Sequence, residues 1–497
     1  MHKLTLKFTR LSAVIVLTIC MLCGNNVKTY AQAAVELNFS PSKGTTLTGD
    51  DVHDALDKYA KQGIYKGGPF HAIVENATII GSGAFCLSPL LSIKATEPTI
   101  IGIGESAFGS ARSLKEINNF DNVEYIGDYA FSDCTFEYLP RFGKVTRIGK
   151  GAFQDCAALV KAEFPKADYI GNTAFNNCTA LADINFPEAT FADDRAFRNC
   201  TALKEVELPN AMFIGDATFM GCTALTGVFL PEVTDLGESA FENCKALLHI
   251  DITNVTEIKY STFYHCTSLA SGIEEGLMEG IFKIGESAFE GCTSIKNTTF
   301  AHTESIARFA FSECTGLEQI GLPMIKSIEK WAFESCPNLK YASFGTGHTT
   351  AQVIAFSERI FGMGDPLRAS SPGIELVIGE NVLPKPEGNN WNGYTWKSIT
   401  VQPAPTGIKE VIKSDAINVY PNPAKETATV IFELERASDV KITLVDMSGK
   451  DIVVVYNGFA PAGMFTETFG TAHLPSGVYL LNVSVSGDNT TKKIIIE

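Results

Sequence analysis

The sequence predicts an α/β solenoid with a parallel β-sheet on one face, followed by a small β-sandwich. Three observations carry this. An Ala-Phe-x-x-Cys motif recurs at Phe131, Phe153, Phe175, Phe197, Phe241, Phe289, Phe311 and Phe333, with Thr for Ala at Phe219 and Phe263. The step is 22 residues from Phe131 to Phe263, then 26 across an insertion, then 22 again to Phe333. A fixed period in this range means rungs that cannot bury their apolar side without neighbours. Last, residues 417–497 drop the period and carry short β runs with turns at Ser448-Gly449 and Ser476-Gly477.

Residues 1–33 read as a secretory signal. Lys3, Lys7 and Arg10 form a basic start, Leu11 to Leu22 an apolar run of 12, and Ala31-Gln32-Ala33 a small-x-small cleavage site. That run falls short of the ~20 residues needed to span a bilayer, and no transmembrane segment is expected after signal removal. Residues 34–76 read as an N-terminal cap, with an amphipathic helix over 51–62 that puts Val52, Leu56 and Tyr59 on one stripe and ends at Gly63.

The repeats are expected over 77–344. Within Ile214 to Pro231, Leu225-x-x-Val228-x-Leu230 reads as a strand and Pro231, lacking an N–H, ends it. Ile214-Gly215 turns the chain. Asp216 to Cys222 is expected to form one or two helical turns, with Phe219 and Cys222 on one face. The ten Phe residues of the motif thus form the repeat core. Phe85, Phe108 and Phe356 extend the row without the Cys. Ten cysteines sit three residues after a Phe, in a single file, from Cys134 to Cys336. Parallel side chains on successive rungs suit neither the turned geometry of a disulfide nor the tetrahedron of zinc. The file is expected to be a ladder of small buried hydrophobes.

Residues 345–401 read as an irregular closing cap that holds Trp391 and Trp396, and 402–415, with Pro403 and Pro405, as a linker. Residues 416–497 form the separate β module.

Two segments carry resemblances. The pattern Leu208-Pro209 … Ile214-Gly215 and Leu230-Pro231 … Leu236-Gly237-x-x-Ala240-Phe241-x-x-Cys244-x-x-Leu247 resembles the BspA-like leucine-rich repeat proteins, over about Ala77 to Val401. The resemblance implies a right-handed leucine-rich repeat solenoid on bacterial surface proteins that adhere to host or neighbouring-cell ligands, without catalysis. The C-terminal module resembles the sorting domain of type IX secretion. The motifs are Tyr420, Pro421, Asn422 and Pro423, then Gly449, then Gly477 and Tyr479, then Lys492 and Lys493, in that order. This implies recognition by the type IX secretion machinery, passage through the outer membrane, and display at the outer-membrane surface or outside the cell.

Charge narrows the partners. Net charge is −16 for the full chain, and beyond residue 33 there are 36 basic against 56 acidic residues, a net of −20. Nucleic-acid affinity rests on Lys and Arg, so no nucleic-acid partner is expected. The eight His residues show no metal spacing and no catalytic motif appears, so no metal, cofactor or catalytic site is expected. The candidate site is the outward face of the strands, expected to be concave. Outward positions fall eight and ten residues after each Phe: Lys161 and Glu163, Asp183 and Asn185, Glu205 and Glu207, Gly227 and Phe229, His249 and Asp251. This acidic column with one aromatic and one His is the expected ligand surface. The expected function is an exported adhesin for a host or partner-cell protein or glycan. The alternative is a glycan-capturing or scaffold component of a surface enzyme system.

Overall fold

A computed structural model describes residues 34–270, 280–357, 359–361, 373–404, 417–434, 438–446, 450–460, 463–472, 474–485 and 488–496. The signal-like segment, the centre of the insertion and Gly449 lie outside the described residues.

Two parallel ladders run along the solenoid. One is built of two-residue strands that end at the Ile of Ile-Gly or at the residue equivalent to it. It runs from Thr46–Leu47 to Asp235–Leu236 as nine strands, then from Glu257–Ile258 to Ala355–Phe356 as five. Pairing is in register: Ile170 meets Ala192, and Ile214 meets Leu236. In the sequence Ile-Gly reads only as a turn. The Gly is required there by close approach of the rungs: a Cβ on Gly237 would lie 2.4 Å from the backbone of Gly215.

The other ladder holds the longer strands and is broken into segments. Four strands run from Val35–Phe39 to Glu116–Asn118. Lys161–Glu163 pairs with Asp183–Asn185, and Glu205–Glu207 pairs through Gly227–Phe229 to His249–Asp251. Five more run from Asn297–Thr299 to Ser398–Gln402. The ladder reaches into both end segments. Val35–Phe39 pairs in parallel with Phe70–Val74, so the ladder begins inside the segment read as a cap. Glu375–Gly379 and Ser398–Gln402 extend the ladder through the segment read as an irregular closing cap. A rung needs only an alternating strand to join a parallel sheet, and Leu37, Phe39, Leu376 and Ile378 provide it, each buried.

The helix α1, Gly49–Lys61, is closed at its start by a capping box between Thr48 and Asp51. It buries Val52, and its Tyr59 hydroxyl holds the backbone of Asn38 on the edge strand. Burial alone would raise the Asp51 pKa, but hydrogen bonds from Ser42 and Thr48 outweigh it and hold the carboxyl at about 2.

The segment around each Phe is not helical, which corrects the helical turns expected there. In the Phe197 rung, Arg195, Phe197 and Asn199 donate their N–H groups to Asp216, Thr218 and Met220 of the next rung. A helix would turn those N–H groups toward carbonyls four residues back. Residues in between close three-residue turns, such as Arg198 N–H to Arg195 C=O. This alternation needs left-handed backbone two residues before and two after the Phe: Arg195 at φ 56° and Asn199 at φ 59°, Ala217 at 54° and Gly221 at 76°.

The ten motif Phe residues are buried. Their rings, with Phe85 and Phe108, stack along the axis with centroids 5.0–5.7 Å apart. The row continues from Phe333 to Phe361, at 5.9 Å, and not to Phe356. Phe356 instead occupies the Ile position of the two-residue ladder, opposite Ile328. The eleven described cysteines are free. Each of the ten in the file donates its thiol hydrogen to the Phe carbonyl of the preceding rung, with S···O distances of 3.0–3.2 Å.

The C-terminal module is a sandwich of two antiparallel sheets. One has three strands (Asn418–Tyr420, Thr427–Leu434, Gly463–Gly470) and the other four (Ser438–Val445, Asp451–Ala460, Gly477–Val485, Asp488–Ile496). Its core, which includes Val430, Ile442, Leu481 and Ile494, is separate from that of the solenoid. The strand Asp451–Ala460 packs on Asn297–Thr299 of the solenoid, and Phe459 stacks on Tyr341 at 5.6 Å.

Candidate functional site

The outward column is arranged by register. Lys161 stands opposite Asp183 and Glu163 opposite Asn185. Glu205 faces Gly227, which faces His249; Glu207 faces Phe229, which faces Asp251. Each set lies on one side of its sheet because successive residues alternate. Glu163, Asp183, Asn185, Glu205, Glu207, Phe229 and His249 are exposed, Phe229 to 45%. Asp251 is half-buried, and its Oδ1 has no hydrogen-bond partner.

The column is not uniformly free. Lys161 Nζ sits 2.9 Å from Glu163 and 2.9 Å from Asp183, so those two carboxylates share one cation. Such exposed pairs contribute at most about 1 kcal/mol and open readily to a competing ligand. Gly227 makes room for its neighbour: a Cβ there would lie 2.8 Å from His249 Nε2. The imidazole therefore lies across the Gly227 backbone, one rung from the exposed Phe229. Chemically the column offers carboxylates, one amide, one imidazole and one aromatic edge on a rigid frame. Among the described residues, no group of three or more His, Cys, Asp or Glu side chains is placed to hold a metal ion.

Two features were not read from the sequence. One lies on the outward side of the two-residue ladder, at the position before each Ile. There Tyr169, Phe191 and Phe213 stack at 5.4 and 4.2 Å, with the Arg147 guanidinium 4.4 Å over Tyr169. The signal was visible as an aromatic before Ile-Gly or its equivalent in successive repeats. The other is a cavity of about 470 Å³ on the long-strand face, lined by Tyr138, Leu139, Pro140, Arg141, Lys161, Glu163, Pro165 and Asn185. Its signal is a Leu-Pro pair, Leu139-Pro140, three residues nearer to its Cys than Leu208-Pro209 is to Cys200. Another cavity, of about 360 Å³, lies between Asn297, Gln319 and Tyr341 of the solenoid and Tyr456, Phe459 and Glu467 of the C-terminal module. Burial raises the carboxyl pKa of Glu467, and it pushes the Tyr456 phenol up to about 12.

In the C-terminal module the Tyr420-Pro421-Asn422-Pro423 turn is exposed, Tyr420 to 53%. Asn422 clips it to the last strand: its Nδ2 donates to the Lys493 carbonyl at 3.1 Å and its Oδ1 accepts the Ile495 N–H at 2.8 Å. Lys492 and Lys493 pair with Leu481 and Leu480, and Gly477 with Ile496. Tyr479 donates its hydroxyl to the Pro475 carbonyl at 2.8 Å. The motif residues of this module other than Gly449 thus gather at the edge where its first and last strands meet.

With this geometry in place, the similarities to known proteins are informative. The BspA type leucine rich repeat region is matched in six copies, over residues 78–203, 146–270 and 276–360. The chain belongs to the BspA-type leucine-rich repeat family. Residues 418–497 match the secretion system C-terminal sorting domain. This leucine-rich repeat protein is therefore exported, for attachment at the cell surface or release, and its sorting domain engages the type IX machinery. No helix among the described residues is long and apolar enough to cross a membrane. Among solved structures, a leucine-rich repeat protein from Bacteroides ovatus ATCC 8483 is 24% identical, over 55% of this chain and 86% of that one, with a TM-score of 0.36. A leucine rich cell surface protein from Faecalibacterium prausnitzii A2-165 is 23% identical, over 54% and 83%, with a TM-score of 0.30. The T. pallidum leucine rich repeat protein is 20% identical, over 44% and 79%, with a TM-score of 0.26. No curated protein matches the chain.

Proposed function

We propose that this BspA-type protein is an adhesin, a non-catalytic binding protein that recognises a protein or glycan on host or partner cells. The observation that carries the reading is the exposed column from Glu163 through Asp183, Asn185, Glu205, Glu207 and Phe229 to His249, with the half-buried Asp251 at its end. Binding surfaces in repeat proteins come from such columns, because each rung adds one position to a continuous face. The frame is rigid, so little ordering entropy is lost when a partner docks. The chemistry of the column is hydrogen bonding and charge with one aromatic anchor, which suits recognition.

The test is capture of the full chain on an array of glycans and matrix proteins, alongside a Glu205→Lys/Glu207→Lys variant and Phe229→Ala. The expected outcome is at least one specific ligand whose capture falls tenfold or more in both variants, with melting unchanged. Capture that ignores both variants would remove the column from the binding site. Turnover of a captured ligand would point to catalysis instead.

A further inference from the structure

The cavity bounded by Tyr138, Arg141 and Asn185 arises where one rung abandons its strand. Elsewhere among the described residues of this face a strand residue sits six positions after the Cys, as Ala162 does after Cys156 and Val206 after Cys200. In the Cys134 rung that place is taken by Pro140, which has no N–H for a ladder. On this face the rung joins the next through an isolated bridge, Tyr138 to Lys161, with the Val160 N–H donating to the Glu137 carbonyl, and not through a strand pair. The sheet stops there and the surface opens into the recess.

We propose that this recess binds an acidic sugar, a pyranose ring that carries a carboxylate. The inference rests on the reading of the strand face as the binding surface, and names the ligand class for one part of it. The Tyr138 ring is 67% exposed, and among the described residues it stacks on no other ring. It therefore offers a free flat face to the C–H side of a sugar. The Tyr169–Phe191–Phe213 column does not, since those rings already cover one another. Charge sets the acid. Lys161 is held by Glu163 and Asp183, both at 2.9 Å, whereas Arg141 forms no ion pair among the described residues. Its planar fork matches a carboxylate by two parallel hydrogen bonds. The Asn185 amide and the Tyr138 hydroxyl supply donors and acceptors for ring hydroxyls. The volume of about 470 Å³ falls in the range of small-ligand sites. An extended acidic peptide fits less well, because Pro140 removes an N–H that strand addition would use.

The experiment is calorimetric titration of the full chain with four probes: a glucuronic-acid-containing disaccharide, sialyl-lactose, lactose and an acidic tetrapeptide. At least one acidic saccharide should bind, with lactose and the peptide tenfold or more weaker. Arg141→Gln and Tyr138→Ala should each weaken that binding tenfold or more, Arg141→Lys less, and all three should melt as the parent does. The two acidic saccharides separate a uronic from a sialic acid source. Equal binding of lactose, preference for the peptide, no acidic saccharide binding at millimolar concentration, or unchanged affinity in both Arg141→Gln and Tyr138→Ala would each overturn the proposal. Array capture lost in Glu205→Lys/Glu207→Lys, together with no acidic saccharide binding in the titration, would overturn the recess alone and leave the broader binding reading standing. An array that captures nothing would count against the broader reading, while the titration decides the recess on its own.

Discussion

A thiol three residues after each Phe answers a specific local need. The carbonyl of Phe153 already accepts the Cys156 N–H of its own turn, and its other lone pair takes the thiol of Cys178. Alanine would fill the space without a donor, and serine would bury a more strongly hydrated hydroxyl. Burial pushes the thiol pKa of Cys134, Cys222 and Cys336 up to about 12, and raises those of Cys178 and Cys200 well above the ordinary value. The folded rungs therefore keep protons that the unfolded chain releases. Their contribution is complete below the unfolded thiol value near 8.5 and is lost as pH rises from there through the folded values. Each such thiol adds a slope of about 1.4 kcal/mol per pH unit in that window. Denaturant unfolding under reducing conditions should show stability falling from about pH 9 upward. In a Cys178→Ala/Cys200→Ala variant the slope should be shallower by roughly 2.7 kcal/mol per pH unit. Lys and Tyr titrate alike in both proteins, so equal slopes would show that these thiols ionise in place.

At the scale of the element, the left-handed pairs flanking each Phe decide that the return path is a ladder and not a helix. Asn199, at φ 59°, also donates its Nδ2 to Asn177 Oδ1 at 2.9 Å, and Asn177 donates in turn to Asp155 at 2.8 Å. Asn199→Val loses that bond and puts a β-branched residue where L side chains crowd the backbone, so a cost of about 2–3 kcal/mol is expected. Asn199→Gly loses the same bond without the backbone penalty and should cost about 1 kcal/mol or less. Chemical denaturation of the two variants checks the order, and a Val variant no weaker than the Gly one would put the strain elsewhere. The period made the rungs and the Phe row legible, because a 22-residue step forces equivalent residues into file. The return path was misread since Phe219 and Cys222, three apart, fit a helix face as well as a ladder. Only the destination of the N–H groups separates the two, and that lies in the next rung. Phe356 was misplaced for a related reason: after Phe333 the spacing changes, and the Phe row resumes at Phe361, 28 residues on. In the candidate site the alternation of Asp183, Asn185, Glu205 and Glu207 could be read directly. The recess at Tyr138 could not, because it follows from a strand that failed to form.

For the whole molecule the question is what the sorting domain does to the solenoid it accompanies. The two have separate cores, Phe197 and its file on one side and Val430, Ile442 and Leu481 on the other. They nonetheless touch, with Phe459 on Tyr341 and the strand Asp451–Ala460 on Asn297–Thr299. This contact covers the long-strand face of the last repeats and leaves the column from Glu163 to Phe229 exposed. Hence a chain ending at residue 404 should keep the cooperative melting of its repeats, because no part of their core is contributed by the sorting domain. It should also keep its ligand. The docking itself is reported by Tyr341, whose pKa burial raises above the ordinary phenol value, with the nearby Asp439 carboxylate adding to the shift. Without the sorting domain that phenol should titrate at a lower pH in an ultraviolet difference titration than it does in the full chain. An unchanged midpoint would mean that the solenoid alone buries Tyr341. In the native cell the same truncation should leave a folded repeat domain that never reaches the surface, since the exposed Tyr420 turn and the Lys492-Lys493 strand beside it leave with the deleted segment. Normal display of the truncated chain would show that residues 416–497 do not address it, and loss of its cooperative melting would show that they stabilise the solenoid.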